Sequence, residues 1–245
     1  MIVSKDNIVF ICGASHDEWC WEENFTDYFI ERGYNIDIHV LSKDAKDIKT
    51  SVLLLGKKIK KIKQEAGCKV SVVTHSMGNL ILNEYLKEGK NADDINSIVL
   101  LSPYPTNHRF LNAIKISYNY YGQTIEELLF SGRVEKSADY IKKIKEEAKS
   151  IRLLTLTYSE VNIFDLFIPT LIIGSNNDKC IPVKSLIDNM KYYGATLKIY
   201  NELCHDCMLD PHWRNVADDI YLFLQKQLLE TKVFMSIQKN QIYYD

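Results

Sequence analysis

Short apolar runs alternate with segments of helical periodicity along most of this 245-residue chain. That alternation constrains the fold more than any other feature. Strands separated by helices are most simply joined in parallel, with the helices covering both faces of one sheet. Asn7–Cys12 (NIVFIC) reads as a first strand, apolar enough to be buried on both faces, ending at Gly13. Trp19–Arg32 reads as a helix stopped by Gly33. Ile36, Ile38 and Val40 alternate with Asp37 and His39 as a second strand, and Val52–Ala66 is a helix closing at Gly67. Lys69–Thr74 (KVSVVT) is a third strand with the helix Met77–Lys87 behind it, and Ile95–Leu101 is a fourth, cut by Pro103 and Pro105. Thr170–Ile173, the helix Lys184–Tyr193 and the strand Thr196–Tyr200 follow, and Pro211 opens a last helix to about Leu228. The expected class is α/β: a mostly parallel sheet of about six strands flanked by helices.

One stretch breaks the rhythm. Between Pro105 and Pro169 helical patterns dominate, including Ile125–Phe130 and Ser137–Lys149, and the stretch is too long for a plain connection. It reads as a helical cap, residues 105–167, inserted into a core of residues 1–104 and 168–230. Residues 231–245 form a tail without a clear period and without an assigned role.

Charge narrows the function classes. Thirty Lys+Arg against 32 Asp+Glu leave a net charge of -2, so no global basic field attracts nucleic acid. Five lysines between Lys57 and Lys63 interleave with Ile59 and Ile62 and read as the solvated face of a helix. No apolar run approaches the roughly 20 residues that span a bilayer, and the start reads as a strand, not a signal peptide. Six cysteines are too sparse for a disulfide scaffold, so a cytoplasmic chain with reduced thiols is expected.

The third strand runs directly into Thr74-His75-Ser76-Met77-Gly78, close to G-x-S-x-G with Thr in place of the first Gly. A strand turning sharply into a helix forces the central residue into a strained conformation. Small residues two positions either side keep strand and helix from clashing. The serine hydroxyl is left at a helix N-terminus, where free N–H groups and the macrodipole favour developing negative charge. The pentapeptide alone fits a helix-capping serine equally well. Context decides between them. A nucleophilic Ser76 needs a base, and the base needs an orienting carboxylate. Asp178 follows the fifth strand and His205 follows the sixth, in the order Ser, Asp, His. All three fall just past strand C-terminal ends, where parallel sheets place their sites. Asp206 is the nearest rival carboxylate. The backbone N–H groups of Met77 and of Ala14, in the loop after the first strand, are candidate oxyanion donors, with Gly13 allowing close approach.

These blocks, THSMG, PTLIIGSNNDKCIP and the His205 segment, resemble those of the α/β-hydrolase superfamily in the same order. The first loop, Cys12–Trp21 (CGASHDEWCW), is similar to the HGAxHxxWxW loop of the plant methylesterase and hydroxynitrile-lyase branch, with Cys12 where that branch has His. His205–Trp213 (HDCMLDPHW) resembles the H-x-M-x-L-x-P-x-W ending of small bacterial carboxylesterase- and lysophospholipase-like members. The likeness spans the chain from Asn7 to Leu228 apart from the insertion. No strand signal precedes Asn7, so the two opening strands of the full fold are not expected. The resemblance implies Ser76 as nucleophile, His205 as base, Asp178 as acid and Ala14 and Met77 as oxyanion donors, supported by Gly13, His75 and Gly78.

The implied activity is cleavage of a small-molecule carboxylic ester or thioester through an acyl-enzyme, with no cofactor and no metal. An acyltransferase, a biosynthetic thioesterase, a hydroxynitrile-lyase-like lyase and a noncatalytic ligand receptor share the constellation. Cys12, Cys20, Cys180, Cys204 and Cys207 fall in segments near the expected site, and Cys204 and Cys207 bracket His205. They read as small buried residues rather than metal ligands. Of the insertion aromatics Tyr118, Tyr120, Tyr121, Phe130, Tyr140 and Tyr158, most are expected to pack and one or two to line an acyl pocket.

Overall fold

The structure, a computed structural model, describes residues 6–41, 47–87, 91–105, 122–147 and 167–241, with side chains as far as residue 230. Six strands, β1 (Asn7–Ile11), β2 (Asn35–His39), β3 (Val70–His75), β4 (Ile95–Leu101), β5 (Thr170–Ser175) and β6 (Thr196–Tyr200), form one sheet in the order β2-β1-β3-β4-β5-β6. Every pairing is parallel. β1, β3 and β5 are buried along their whole length, whereas the edge strands β2 and β6 are partly exposed. Edge position explains why polar residues alternate in β2.

The helices are α1 (Trp19–Glu22), α2 (Phe25–Ile30), α3 (Ile48–Ala66), α4 (Gly78–Tyr85), α5 (Ser137–Glu147), α6 (Val183–Tyr193) and α7 (Trp213–Gln241). Alternate residues of each strand feed two cores. On one face Phe10, Val73, Val99 and Ile173 pack with Trp21, Phe25 and Phe29 of α1 and α2 and with Val216, Ile220 and Leu224 of α7. On the other, Val9, Ile11, Val72 and Ile172 pack with Leu55 and Ile59 of α3, Ile81 and Leu82 of α4, and Leu186 of α6. Each such side chain contributes about 1.5–3 kcal/mol through burial. Strand order reverses between β1 and β3, so the crevice at their carboxyl ends is where an open parallel sheet binds its ligand.

The structure departs from the expected elements in four places. Trp19–Arg32 is two helices, because Asn24 leaves helical geometry at φ −140° and its side-chain amide donates to the Met208 carbonyl at 2.9 Å. α3 begins at Ile48, four residues early, because Asp47 caps it by accepting from the Thr50 N–H at 2.7 Å. α7 runs on to Gln241 through most of the stretch read as a tail; residues 231–241 (TKVFMSIQKNQ) contain no Gly or Pro to stop the helix. Glu126–Phe130 is a π-helical turn, closed by Ser131 N–H on the Glu126 carbonyl at 2.9 Å. Most of the expected cap, residues 106–121 and 148–166, lies outside the described residues, and with it Tyr118, Tyr120, Tyr121 and Tyr158. Phe130 and Tyr140 are buried in the core, as packing requires.

Candidate active site

β3 ends in the sharp turn its sequence demands. Ser76 sits at φ +47°, a left-handed backbone that residues with a Cβ rarely adopt. Its N–H donates to the Leu101 carbonyl at 3.0 Å, and its own carbonyl accepts from the Tyr104 N–H at 3.2 Å. Those bonds tie the strained residue to the end of β4. A Cβ on Gly78 would lie 2.8 Å from the Cys12 carbonyl oxygen and 2.9 Å from that of Ile11, so α4 can leave β3 this closely to β1 only with glycine there. The loop after β1 rests on the elbow in the same way. A Cβ on Gly13 would meet His75 Nδ1 at 2.7 Å and Ser76 Cβ at 3.2 Å. Ala14 and Met77 flank this contact and are both partly exposed. Among the described residues neither backbone N–H has an acceptor in the protein. Thr74, in place of the first glycine, is fully buried and its hydroxyl lacks a partner among the described residues.

β5 and β6 deliver the other two groups. His205 Nδ1 and Asp178 Oδ2 are 2.9 Å apart, both residues buried. The second Asp178 oxygen accepts the Cys180 and Ile181 N–H groups at 2.7 and 2.9 Å, which locks the carboxylate. Burial disfavours an imidazolium at His205, yet the Asp178 carboxylate, bonded and close, and the nearby Asp206 charge hold its pKa above the ordinary 6.5. His75, beside Ser76, joins the two halves: its Nε2 donates to the His205 carbonyl at 3.2 Å and the two rings lie 4.8 Å apart. Burial, with His205 nearby, pushes the His75 pKa well down, so His75 is a neutral donor. His75 therefore brings the Ser76 elbow beside the His205–Asp178 pair, at the carboxyl ends of the strands. Asp206 does not compete for His205; it pairs with His16 Nε2 at 2.8 Å and faces His75 Nε2 at 3.6 Å.

The same architecture is found in solved structures. The chain superposes on a lipase-esterase related protein from Clostridium acetobutylicum with a TM-score of 0.70 at 15% identity, over 90% of this chain and 95% of that one. A bromoperoxidase from Bacillus anthracis gives 0.67 at 16% identity, over 90% and 92%. Polyneuridine aldehyde esterase gives 0.65 at 16% identity, over 90% and 98%. The chain has the α/β-hydrolase fold. No family model matches its sequence, and no curated protein does.

Within the α/β-hydrolase frame, the loops carrying Asp178 and His205 are braced by the π-helical turn. The Asp206 N–H donates to the Leu129 carbonyl at 3.1 Å, the Cys180 thiol to the Leu128 carbonyl at 3.4 Å, and the Ser131 hydroxyl to the Asn177 carbonyl at 3.4 Å. Arg133 adds a side-chain anchor: Nε donates to Asp210 Oδ2 at 2.8 Å, and Asp210 also accepts the Cys204 and His212 N–H groups at 3.0 and 2.9 Å. Sequence reasoning gave no role to Arg133, Asp210 or His16. The Asp210-Pro211 pair before a helix was the one local sign that Asp210 is structural.

None of the six cysteines is in a disulfide, and five are buried. Burial and acidic neighbours push the Cys204 and Cys207 thiols up, which keeps them protonated. Two groups among the described residues have donors close enough for a metal ion, His16–His75–Asp206 and Asp178–Cys180–His205. Neither contains Cys204 or Cys207. No helix among the described residues is long and apolar enough to cross a membrane.

Proposed function

We propose that this protein is a serine hydrolase that cleaves a small carboxylic ester or thioester through an acyl-enzyme on Ser76. The observation that carries the reading is the pairing of a left-handed Ser76 on a strand-to-helix elbow with a buried His205–Asp178 couple at 2.9 Å. Lipase and esterase names among the structural neighbours support an ester substrate.

In this mechanism Asp178 accepts the His205 Nδ1 hydrogen, which leaves Nε2 as the basic nitrogen. His205 Nε2 takes the Ser76 proton as Oγ attacks the carbonyl carbon. The oxyanion accepts hydrogen bonds from the N–H groups of Ala14 and Met77. The alcohol or thiol leaves with the proton from His205. Water, deprotonated by His205, then attacks the acyl-enzyme and the acid departs. No step requires a metal or cofactor. The insertion between β4 and β5 is read as the cap over this site, with the π-helical turn and α5 in its described part. The sparse cysteines, six in 245 residues, support a reducing, cytoplasmic setting.

The test is intact mass after incubation with a fluorophosphonate probe, wild type beside Ser76→Ala. A single adduct on the wild type alone is expected. An equal adduct on Ser76→Ala, or none on the folded wild type, would overturn the reading.

A further inference from the structure

The loop after β1 makes contacts that the proposed chemistry does not use. Gly13–His16 is a tight turn in which the His16 N–H donates to the Gly13 carbonyl at 3.4 Å and Ser15 takes φ +60°. His16 Nδ1 lies 2.7 Å from the Ala14 carbonyl oxygen, an atom that can only accept, so Nδ1 carries hydrogen. The far nitrogen, Nε2, meets Asp206 Oδ2 at 2.8 Å, with both side chains buried. Trp19 stacks on the ring at 5.4 Å.

A turn is set by the directions of its peptide planes. His16 holds two of the three in Gly13–His16. Its main-chain N–H fixes the Gly13 carbonyl and its ring fixes the Ala14 carbonyl. In a trans peptide the N–H points opposite the carbonyl, so fixing the Gly13 oxygen fixes the direction of the Ala14 N–H. Asp206 in turn is the residue after His205, and its own N–H is held by the Leu129 carbonyl at 3.1 Å.

We propose that His16 and Asp206 are positioning residues: Asp206 anchors the His16 ring, and the ring holds the Gly13–His16 turn so that the Ala14 N–H faces the oxyanion. The proposal rests on the serine-hydrolase reading. It makes the oxyanion donor and the base one mechanical unit, joined across the crevice between β1 and the loop after β6.

The test is saturation kinetics of fluorophosphonate labelling on the full chain. Asp206→Ala and His16→Phe are each expected to lower the maximal labelling rate about 10- to 100-fold, since an oxyanion donor is mis-aimed rather than lost. The half-saturating probe concentration should move by less than about threefold, because reversible binding does not use the oxyanion hole. The double variant should be no slower than the slower single variant, because both break one tether. Asp206→Asn should recover to within about fivefold of wild type, since an amide N–H can donate to Nε2 while Nδ1 stays on the Ala14 carbonyl. That variant also keeps the side-chain volume, and so reports if Asp206→Ala does not fold. Unchanged rates in the variants with a labelled wild type would sink the tether alone. Asp206→Asn as slow as Asp206→Ala would also overturn it, by assigning the effect to the charge. A wild type that does not label would sink the hydrolase reading, and the tether with it.

Discussion

Asp178 meets His205 through one oxygen and is locked through the other. Oδ2 lies 2.9 Å from His205 Nδ1, and Oδ1 accepts two main-chain N–H groups at 2.7 and 2.9 Å. The carboxylate therefore cannot turn away from the imidazole without breaking bonds that hold its own loop.

Asp178→Asn should lower the labelling rate of Ser76 by about 10⁴-fold, the loss expected when an amide stabilises the wrong imidazole tautomer. The variant should remain folded by circular dichroism, because an amide oxygen still serves the Cys180 and Ile181 N–H groups. A rate within tenfold of wild type would place the acid elsewhere.

The same pair sets a pH dependence. Ser76 acylation needs His205 unprotonated at Nε2, and the folded-state pKa of His205 lies above 6.5. The rate should rise with pH, with its acid limb centred above 6.5. Removing the Asp178 charge takes away the main force raising that pKa against burial, so in Asp178→Asn the limb should shift to lower pH. The stability sign is the opposite one. A raised folded pKa contributes stability that is full below the unfolded pKa and lost as pH climbs through the folded value. Labelling rates and urea unfolding, each measured from pH 5 to 9, check the two directions.

Gly78→Ala should destabilise the protein by about 1–3 kcal/mol, because the added methyl would meet two main-chain oxygens at 2.8 and 2.9 Å that side-chain movement cannot relieve. Urea unfolding measures it. Gly56→Ala on α3 is the control: its Cβ would meet only the edge of the Tyr85 ring at 3.3 Å, and a helix interior favours alanine.

What the sequence reveals follows from the range of the interactions involved. β1, β3, β4 and β5 are legible because burial on both faces demands an unbroken apolar run. The elbow is legible because a close backbone approach dictates residue size at Gly13 and Gly78. Long-range polar contacts leave no local pattern. Asn24 breaks a helix by reaching Met208, 184 positions away, and His16 meets Asp206 across 190. The helical periodicity of Ile125–Phe130 is clear, but only the i−5 bond from Ser131 makes it a π turn rather than an α turn.

The Arg133–Asp210 pair offers a test of how the insertion between β4 and β5 holds the His205 loop. Asp210 is buried and accepts the Cys204 N–H, one residue before His205, while Arg133 comes from the described part of the insertion. Burial alone would raise the Asp210 pKa, but the Arg133 bond and two main-chain N–H groups hold it below the ordinary 3.8. A depressed folded pKa contributes stability above the unfolded value, lost as pH falls through the folded one. Arg133→Met keeps the apolar stem and removes the charge, leaving the carboxylate with its main-chain donors. The expected loss is about 1–3 kcal/mol at pH 7. The gap between wild type and variant should narrow as pH falls below 3.8, where protonated Asp210 no longer needs the guanidinium. Urea unfolding of both proteins at pH 7, 5 and 3 measures the gap. A gap that stays constant with pH would assign the loss to packing rather than to the ion pair.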